Sequence, residues 1–335
     1  MREIGSEFWE KSLPAYPKKT ANEAYLLSGR TALKFIIDDI RKDRKFHRVM
    51  LPSYCCESMI EPFDVSGVEV EYYHVNPDNI DYPFENDVDA VLLIDFFGYI
   101  NPQNIEIACR ERQKGKIVIY DSTHKIDGNS ALEAYANYTF CSYRKWFYCN
   151  FAKAIKHCGE FSKAVNLKNN DNYVDIRNAA ASEKEKYIAG LTEKKENFLS
   201  GFSNSEQMLD DDYYEYAGNP VLFDIQSIIS KRRENATYLI EELKRIPSIK
   251  IWRENLQPAD TPLFVPILLD NTIRNDLRKY LTEHSIYCPI HWPLSRYHGK
   301  SNDLYERELS LICDQRYDLS DMEQIVLTIK NYFKR

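Results

Sequence analysis

Short apolar runs alternate with amphipathic stretches along residues 20–160 of the chain. The runs are rich in β-branched and aromatic residues, and polar turns bound each of them, at Arg48–Pro52, Val68–Val75, Ala90–Phe96, Lys116–Tyr120, Tyr138–Tyr143 and Ala152–Lys156. Continuous runs of this kind are typical of strands buried on both faces of a parallel sheet. The intervening stretches predict helices over Ser28–Ile40, around Met59 and Ile60, and over Asn104–Gln113. Strand–helix alternation at this spacing predicts an α/β fold.

The second half of the chain follows a different pattern. A strongly charged helical stretch over 175–204 is typical of a solvated face, whereas the apolar stripe of Phe223–Arg245 predicts a core helix. Beyond Pro247 we predict a compact α+β unit with strands Ile249–Trp252, Leu263–Leu269 and Tyr287–Trp292 and helices Thr272–His284 and Ser320–Phe333. We therefore expect a boundary near Gly218–Phe223, which divides an N-terminal arm and large domain (1–220) from a small C-terminal domain (221–335).

Composition excludes several classes of function. The 335 residues leave room for one large and one smaller domain, and the net charge of −7 argues against a nucleic-acid partner. The eight cysteines form no paired CxxC set, so neither a zinc site nor a disulfide framework is predicted. No apolar signal core or membrane-spanning run is found, and we expect a soluble cytoplasmic protein without a membrane partner.

Two neighbouring strands of the predicted sheet lead directly into reactive side chains. Asp121 and His124 follow the run Lys116–Tyr120, and Lys145 follows the run Tyr138–Tyr143. Ligands of parallel sheets bind outside the carboxyl ends of the strands, where these side chains would meet. An acid, an imidazole and an amine can hold a pyridine ring by its nitrogen, its face and its aldehyde carbon, which is the chemistry of pyridoxal phosphate. Taken singly, Asp121 could cap a helix, His124 could lie in the core or on the surface, and Lys145 could be solvated.

A possible phosphate site opens the first predicted helix. Ser28, Gly29, Arg30 and Thr31 place a glycine and two hydroxyls at its start. The N–H groups and dipole of a helix start attract anions, and an arginine adds a bidentate grip on phosphate. A plain helix cap explains the same residues without a ligand.

Several segments, in this order, resemble the DegT/DnrJ/StrS-type aminotransferases that depend on pyridoxal phosphate. The resemblance spans nearly the whole chain and rests on Ser28–Leu33, Leu51–Cys56, Asp121–His124, Ser142–Trp146, Ile290–Pro293 and Leu309–Tyr317. It implies the fold type I architecture: a mostly parallel seven-stranded sheet with helices on both faces, plus a small C-terminal α+β domain. It also implies a homodimer with active sites near the subunit interface.

The resemblance implies roles for several residues of these segments. Lys145 would bond to the cofactor's aldehyde carbon, Asp121 would pair with the pyridine nitrogen, and His124 would lie on the ring face. Phosphate would be held by Ser28, Gly29, Arg30, Thr31 and Ser142, with Tyr54 and Cys56 near the ring and His291 and Trp292 at the substrate pocket. An acid beside the pyridine nitrogen keeps it protonated, so the ring can accept electrons. The lysine must act as a neutral amine, which desolvation and the adjacent Arg144 would favour.

The implied reaction is amino transfer from an amino acid, with glutamate as the expected donor, to a keto sugar. The sugar would be nucleotide-linked and serve polysaccharide or deoxysugar biosynthesis. The chain departs from the family's pattern at three places. Lys145 follows Ser142 by three residues rather than five, and the following Phe147–Phe151 contains no glycine. The usual aromatic after the Pro-Ser turn is replaced by Cys56, and no asparagine segment that would reach across the dimer is found, a role that Arg30 could take.

Two alternatives stay open at this point. A catalytically degenerate relative, kept for binding or assembly, is favoured by the glycine-free loop. A dehydratase of the same family, which carries histidine in place of the lysine, is disfavoured by Lys145.

Overall fold

The computed structural model describes residues 3–9, 20–162, 171–209, 224–294 and 302–335. Its strands are β1 (Ile4–Gly5), β2 (Glu23–Leu26), β3 (Arg48–Pro52), β4 (Glu69–Val75), β5 (Ile80–Asp81), β6 (Ala90–Ile94), β7 (Ile117–Asp121), β8 (Tyr138–Ser142), β9 (Ala152–Lys156), β10 (Lys250–Ile251), β11 (Val265–Leu268), β12 (Ile286–Tyr287) and β13 (Glu308–Leu311). Its helices are α1 (Gly29–Asp43), α2 (Glu57–Asp64), α3 (Pro102–Gln113), α4 (Ser130–Glu133), α5 (Asp171–Ile188), α6 (Glu196–Gln207), α7 (Ile225–Leu243), α8 (Asn271–Glu283), α9 (Leu304–Arg307) and α10 (Leu319–Tyr332). One-turn 3-10 helices cover Phe96–Gly98 and Tyr143–Lys145.

The large sheet has the strand order β2-β9-β8-β7-β6-β3-β4-β5. Strands β4, β3, β6, β7 and β8 are parallel, whereas β9 runs antiparallel to β8 and β2, and β5 runs antiparallel to β4. The predicted α/β class with a mostly parallel sheet is confirmed. Within the described residues this sheet has eight strands rather than the seven expected, because the two-residue β5 adds to the free edge of β4.

Both faces of the sheet are covered, which explains the continuous apolar runs. Side chains of a strand alternate between its two faces. Leu92 and Ile119 pack into one core with α1, and Val91 and Val118 pack into another with Ile107 of α3. Strands β6 and β7 are therefore buried along their whole lengths.

The C-terminal part of the chain has its own core. Strands β10, β11 and β13 form an antiparallel sheet, against which α7, α8 and α10 pack. The N-terminal strand β1 joins this core, because it pairs in parallel with β12 and Ile4 is fully buried there. The boundary predicted at 218–223 lies outside the described residues, and the division into domains stays a prediction.

The strand predicted over Tyr287–Trp292 ends at Tyr287. Pro289 has no N–H to donate to a ladder, and the His291 N–H donates to Oε2 of Glu308 at 2.7 Å instead. The chain therefore leaves the sheet and brings Trp292 to the site described below. None of the helices within the described ranges is both long enough and apolar enough to cross a membrane.

Candidate active site

An open cavity of about 250 Å³ lies at the carboxyl ends of β7 and β8. Parallel strands bring their carboxyl ends to one edge of the sheet, so residues distant in sequence meet there. Nine of the residues predicted from the sequence line this cavity: Ser28, Gly29, Arg30, Cys56, Asp121, His124, Ser142, Lys145 and Trp292.

One end of the cavity is formed by the start of α1. Ser28 caps the helix: its Oγ accepts from the N–H of Thr31 at 3.1 Å, while its own N–H donates to Oγ1 of Thr31 at 3.0 Å. The N–H groups of Gly29 and Arg30 have no partner within a helix, because the first turn of any helix leaves its donors free. A Cβ on Gly29 would lie 3.2 Å from Cβ of Ser142, so glycine allows the helix start to approach that hydroxyl. This end of the cavity suits an anion.

Arg30 and Thr31 have other partners at this end. The Arg30 guanidinium lines the cavity but forms an ion pair with Glu61 at 3.0 Å. The Thr31 hydroxyl is committed to the helix cap, where it also donates to the carbonyl of Ser28 at 2.8 Å, and it is buried behind the cavity wall.

Asp121 is the buried acid of the site. It ends β7, and its Oδ1 accepts from the N–H of Thr123 at 2.8 Å. Burial raises the pKa of Asp121 to about 6, although the bond from Thr123 and the positive charge of Lys145 oppose that rise. A cationic ring nitrogen beside this carboxyl would supply the charge that the burial leaves uncompensated.

A flat wall lies beside the acid. The ring of His124 stacks on that of Trp292, with centroids 5.7 Å apart and planes at 22°. Nδ1 of His124 accepts from the N–H of Phe97 at 3.0 Å, which assigns the proton of the neutral ring to Nε2. Burial, assisted by the charge of Lys145, lowers the pKa of His124 to about 3. The imidazole is therefore neutral.

Two further predicted residues lie behind this wall. His291 is buried, with Nδ1 at 2.9 Å from Oγ of Ser310. Tyr54 is fully buried in an aromatic cluster with Phe96, Trp252, Trp292 and Tyr305. Their positions support Trp292 rather than meet a ligand directly. Cys56, in contrast, lines the cavity, where burial raises the pKa of its thiol.

Lys145 lies on the one-turn helix that follows β8. Its side chain is exposed rather than desolvated, because it stands between the cavity and a second, open cavity of about 400 Å³ that it also lines. The neighbouring Arg144 donates to Glu206 at 2.6 Å and to the Tyr173 hydroxyl at 2.7 Å. The repulsion expected from Arg144 is therefore offset by a carboxylate.

The residue after the lysine is firmly anchored. Trp146 is fully buried, and its Nε1 donates to the carbonyl of Thr123 at 2.8 Å. Gln315 donates to the Trp146 carbonyl at 2.7 Å, and the guanidinium carbon of Arg232 lies 4.4 Å from the ring centroid. Packing thus fixes this turn, in place of the glycine-rich loop that the resemblance implied.

Some lining residues carry no signal in the sequence. Met59, Ile94 and Phe140 belong to apolar patterns that predict only core, and Glu206 lies just past a charged stretch interpreted as solvated. Thr123 lies within Asp121–His124, but nothing in the sequence pattern predicts a role for it. In the part of the chain that the structure describes, no group of three or more histidine, cysteine, aspartate or glutamate side chains could hold a metal ion.

The residues present fit pyridoxal phosphate. The helix start and Ser142 could hold its phosphate, Asp121 its ring nitrogen, the His124–Trp292 wall its ring face, and Lys145 its aldehyde carbon.

The fold is similar to that of solved aminotransferases. Helicobacter pylori PseC, an aminotransferase involved in the biosynthesis of pseudoaminic acid, matches with a TM-score of 0.66 and 14% identity over 98% of this chain and 100% of that one. The PLP form of the putative sugar aminotransferase Spr1654 from Streptococcus pneumoniae matches with a TM-score of 0.66 and 11% identity over 98% of each chain. A DegT DnrJ EryC1 StrS aminotransferase from Brucella abortus matches with a TM-score of 0.62 and 16% identity over 92% of this chain and 85% of that one.

No family model matches the chain, and no curated protein matches its sequence. At these identities the likeness establishes the fold: the chain has the fold of these aminotransferases, as the resemblance implied.

Proposed function

We propose that the chain is a pyridoxal-phosphate-dependent aminotransferase. It would move the amino group of an amino acid, with glutamate as the expected donor, to a keto sugar that is nucleotide-linked, in polysaccharide or deoxysugar biosynthesis. The observation that carries the proposal is that Asp121 and Lys145 face one cavity whose far end is the start of α1. The sugar is supported by what the similar structures are named for, among them PseC and Spr1654.

The cofactor, when bound, supplies an aldehyde that takes up an amino group and a ring that accepts electrons. Asp121 would hold a proton on the ring nitrogen, because a buried carboxylate favours a cationic partner. Lys145 would bond the cofactor between turnovers and, once released, move a proton at the donor's α-carbon. Its exposed amine can reach either cavity without rearrangement of the strand.

The other residues of the cavity would bind and orient. Ser28, Gly29, Arg30, Thr31 and Ser142 form the proposed phosphate end, in which Thr31 acts through the helix cap. The neutral His124 and Trp292 would cover one ring face and exclude water from it, with Cys56 close by. Tyr54 and His291 would hold Trp292 in place from behind.

We propose in addition a cytoplasmic homodimer. The resemblance supports this assembly, in which the active sites would lie near the subunit interface. Arg30 lines the cavity, where it could make the phosphate contact that the family's asparagine segment would otherwise supply.

A catalytically degenerate protein that keeps the fold for binding or assembly is the second candidate. The observations that favour it are the exposed Lys145 and the glycine-free turn after it. The two candidates differ in whether an amino donor changes the bound cofactor.

Absorbance spectroscopy distinguishes the two candidates. With pyridoxal phosphate added, we expect an absorbance band in the near-visible range. Borohydride should remove the band and leave the reduced cofactor covalently attached to the peptide that contains Lys145. Glutamate should bleach the band, and a nucleotide-linked keto sugar should restore it. Lys145→Arg keeps the charge but should abolish the band, whereas Lys153→Arg, on the neighbouring β9, should keep it.

Two results would decide against the aminotransferase. A band that persists in Lys145→Arg would place the linkage elsewhere. A normal band on Lys145 that no amino donor bleaches would establish the binding or assembly role instead.

A further inference from the structure

The second cavity, of about 400 Å³, adjoins the first. The two share Ser142, Arg144, Lys145 and Glu206, and the second is lined in addition by Glu7, Arg177, Phe202 and Ser203. It does not include the start of α1, so a ligand group there would be distinct from the one held at the helix start.

Two arginines converge on one carboxylate oxygen in this cavity. Nη1 of Arg144 and Nη1 of Arg177 lie 2.6 Å and 2.7 Å from the same Oε1 of Glu206. Each guanidinium donates one Nη1 N–H to that oxygen, and two guanidinium groups that meet at one point are suited to bind a planar oxyanion. The structure thus shows that this pair binds a carboxylate.

The two arginine side chains are more buried than the carboxylate that they bind. The Arg177 and Arg144 side chains are 6% and 22% exposed, while that of Glu206 is 47% exposed. Arg144 also donates to the Tyr173 hydroxyl at 2.7 Å, and Arg177 to Oδ1 of Asn150 at 3.1 Å. Exchange of Glu206 for another anion would therefore leave the two arginines in place, and the incoming anion would replace both of the ion pairs that Glu206 gives up.

Glu206 leaves the arginines incompletely satisfied. Nε of Arg144 is buried and has no hydrogen-bond partner among the described residues. The carboxylate of Glu7 approaches Arg177 only to 3.9 Å. Burial alone would raise the pKa of Glu206, but Arg144 and Arg177 hold it below its ordinary value, so it is an anion that competes for them.

We propose that Arg144 and Arg177 bind a carboxylate group of the amino-acid donor, in the place that the Glu206 carboxylate occupies. The inference rests on the proposed function. It assigns recognition of the donor's carboxylate to residues of the second cavity, beside the cavity proposed for the cofactor. Arg144, Arg177 and Lys145 line the same cavity, so a donor whose carboxylate is held by the arginines would have its amino group in the space that Lys145 lines.

Calorimetric titration with glutarate tests the proposal. Glutarate carries the carboxylates of glutamate but no amino group, so the titration reads binding alone. On the protein incubated with pyridoxal phosphate, we expect Glu206→Gln to bind glutarate on the order of tenfold more tightly, because a competing anion is lost. Arg177→Gln should bind it on the order of tenfold more weakly.

Matched controls lie on the same helices. Glu196→Gln on α6 and Lys186→Gln on α5 make the same charge changes at exposed positions, and both should leave glutarate affinity unchanged. If Arg177→Gln does not fold, Arg177→Lys keeps the charge without the fork and should still weaken binding severalfold.

Two outcomes would overturn the proposal. Unchanged glutarate affinity in Glu206→Gln would show that Glu206 does not occupy the ligand's place. If Glu206→Gln bound inorganic phosphate more tightly but glutarate no more tightly, the arginine pair would be a phosphate site instead. The same affinities can be compared by titration without cofactor, so this test does not depend on transamination. A failure of the proposed transamination would be seen separately, in the absorbance of the cofactor bound to Lys145.

Discussion

The carboxyl group of Asp121 is retained at a cost to the folded chain. It is 4% exposed and accepts hydrogen bonds from Thr123, in contrast to Asp95, which is also buried but accepts from Asn104, Asn129, Tyr120 and the N–H of Asn101. An acid whose folded pKa lies above its ordinary value destabilises the fold once it ionises. Such an uncompensated acid in a cavity is typical of a site whose ligand supplies the missing charge.

Asp121→Asn should therefore stabilise the cofactor-free protein near neutral pH. Burial raises the pKa from 3.8 to about 6, so in this window the unfolded chain has lost a proton that the folded chain keeps. The contribution of Asp121 to wild-type stability then falls as pH rises from about 4 to about 6, by about 3 kcal/mol in all at roughly 1.4 kcal/mol per pKa unit. Urea unfolding of both proteins at pH 4 and pH 7 should show the advantage of Asp121→Asn at pH 7 alone.

The same substitution should reduce turnover sharply, because the amide cannot hold the ring-nitrogen proton. Asp95→Asn is the contrasting control: burial raises the pKa of Asp95 as well, but its two carboxylate oxygens accept from several donors. An amide cannot accept from all of them, so this substitution should destabilise the protein at pH 7. An Asp121→Asn protein that is less stable than wild type at pH 7, or equally active, would contradict this account of the acid.

At the scale of an element, the turn after β8 is held from the C-terminal part of the chain. Trp146 receives contacts from Arg232 on α7 and from Gln315, which are themselves joined by a bond of 2.8 Å from Nε of Arg232 to Oε1 of Gln315. The backbone beside Lys145 is therefore positioned by packing between the two halves of the protein. A short 3-10 turn without glycine can be rigid under these conditions.

Trp146→Phe should destabilise the protein by about 2 kcal/mol, because it leaves the buried Thr123 carbonyl without its donor and opens a small void. Arg232→Lys should also destabilise it, since a lysine cannot reproduce the guanidinium's contacts with the indole ring and with the Leu263 carbonyl at 2.9 Å. Denaturant unfolding measures both. Arg233→Lys, one residue along α7 and partly exposed, should have a smaller effect, and equal losses at 232 and 233 would refute the special role of the indole contact.

The sequence predicted the centre of the large sheet well and its periphery poorly. Strands β3, β6, β7, β8 and β9 are buried enough that their sequences form recognisable apolar or β-branched runs. The four-residue β2 and the two-residue β5 lie at the edges of the sheet, and their sequences show no such run. The rule that ligands bind at the carboxyl ends of parallel strands correctly predicted that Asp121, His124 and Lys145 would line one cavity. Which side chain points into that cavity depends on local packing, and so Thr31, Tyr54 and His291 lie behind its wall.

Charged positions were the least predictable from sequence. The pattern around Glu206 is the same whether the carboxylate meets solvent or two arginines, because periodicity does not reveal what a long charged side chain reaches. The prediction of a strand beyond Tyr287 was wrong for a related reason, because the sequence does not show that the buried carboxylate of Glu308 accepts from the N–H of His291. That bond and Pro289 take the chain out of the strand pairing.

At the scale of the whole molecule, the N-terminal segment joins parts that are far apart in sequence. Ile4 and Gly5 pair with Ile286 and Tyr287, and the Gly5 N–H donates to the Tyr317 hydroxyl at 2.8 Å. Lys195, between α5 and α6, forms an ion pair with Glu3 and donates to the Tyr287 hydroxyl at 2.8 Å. The segment thus links the helices that carry Arg177 and Glu206 to the C-terminal core.

Gly5→Ala tests how much this link contributes. Gly5 has φ of +100°, and a Cβ there would collide with the carbonyl oxygen of Tyr287, so the β1–β12 pairing must shift. We expect a loss of about 3 kcal/mol in the free energy of unfolding, from backbone strain and the lost pairing together. Gly115→Ala is the matched control, because φ there is +79° but no atom lies within 4 Å of the added methyl group. It should cost about 1 kcal/mol, the strain of the left-handed backbone alone. Urea unfolding of the two variants separates strain from contact, and equal losses would show that the N-terminal strand contributes little to the fold.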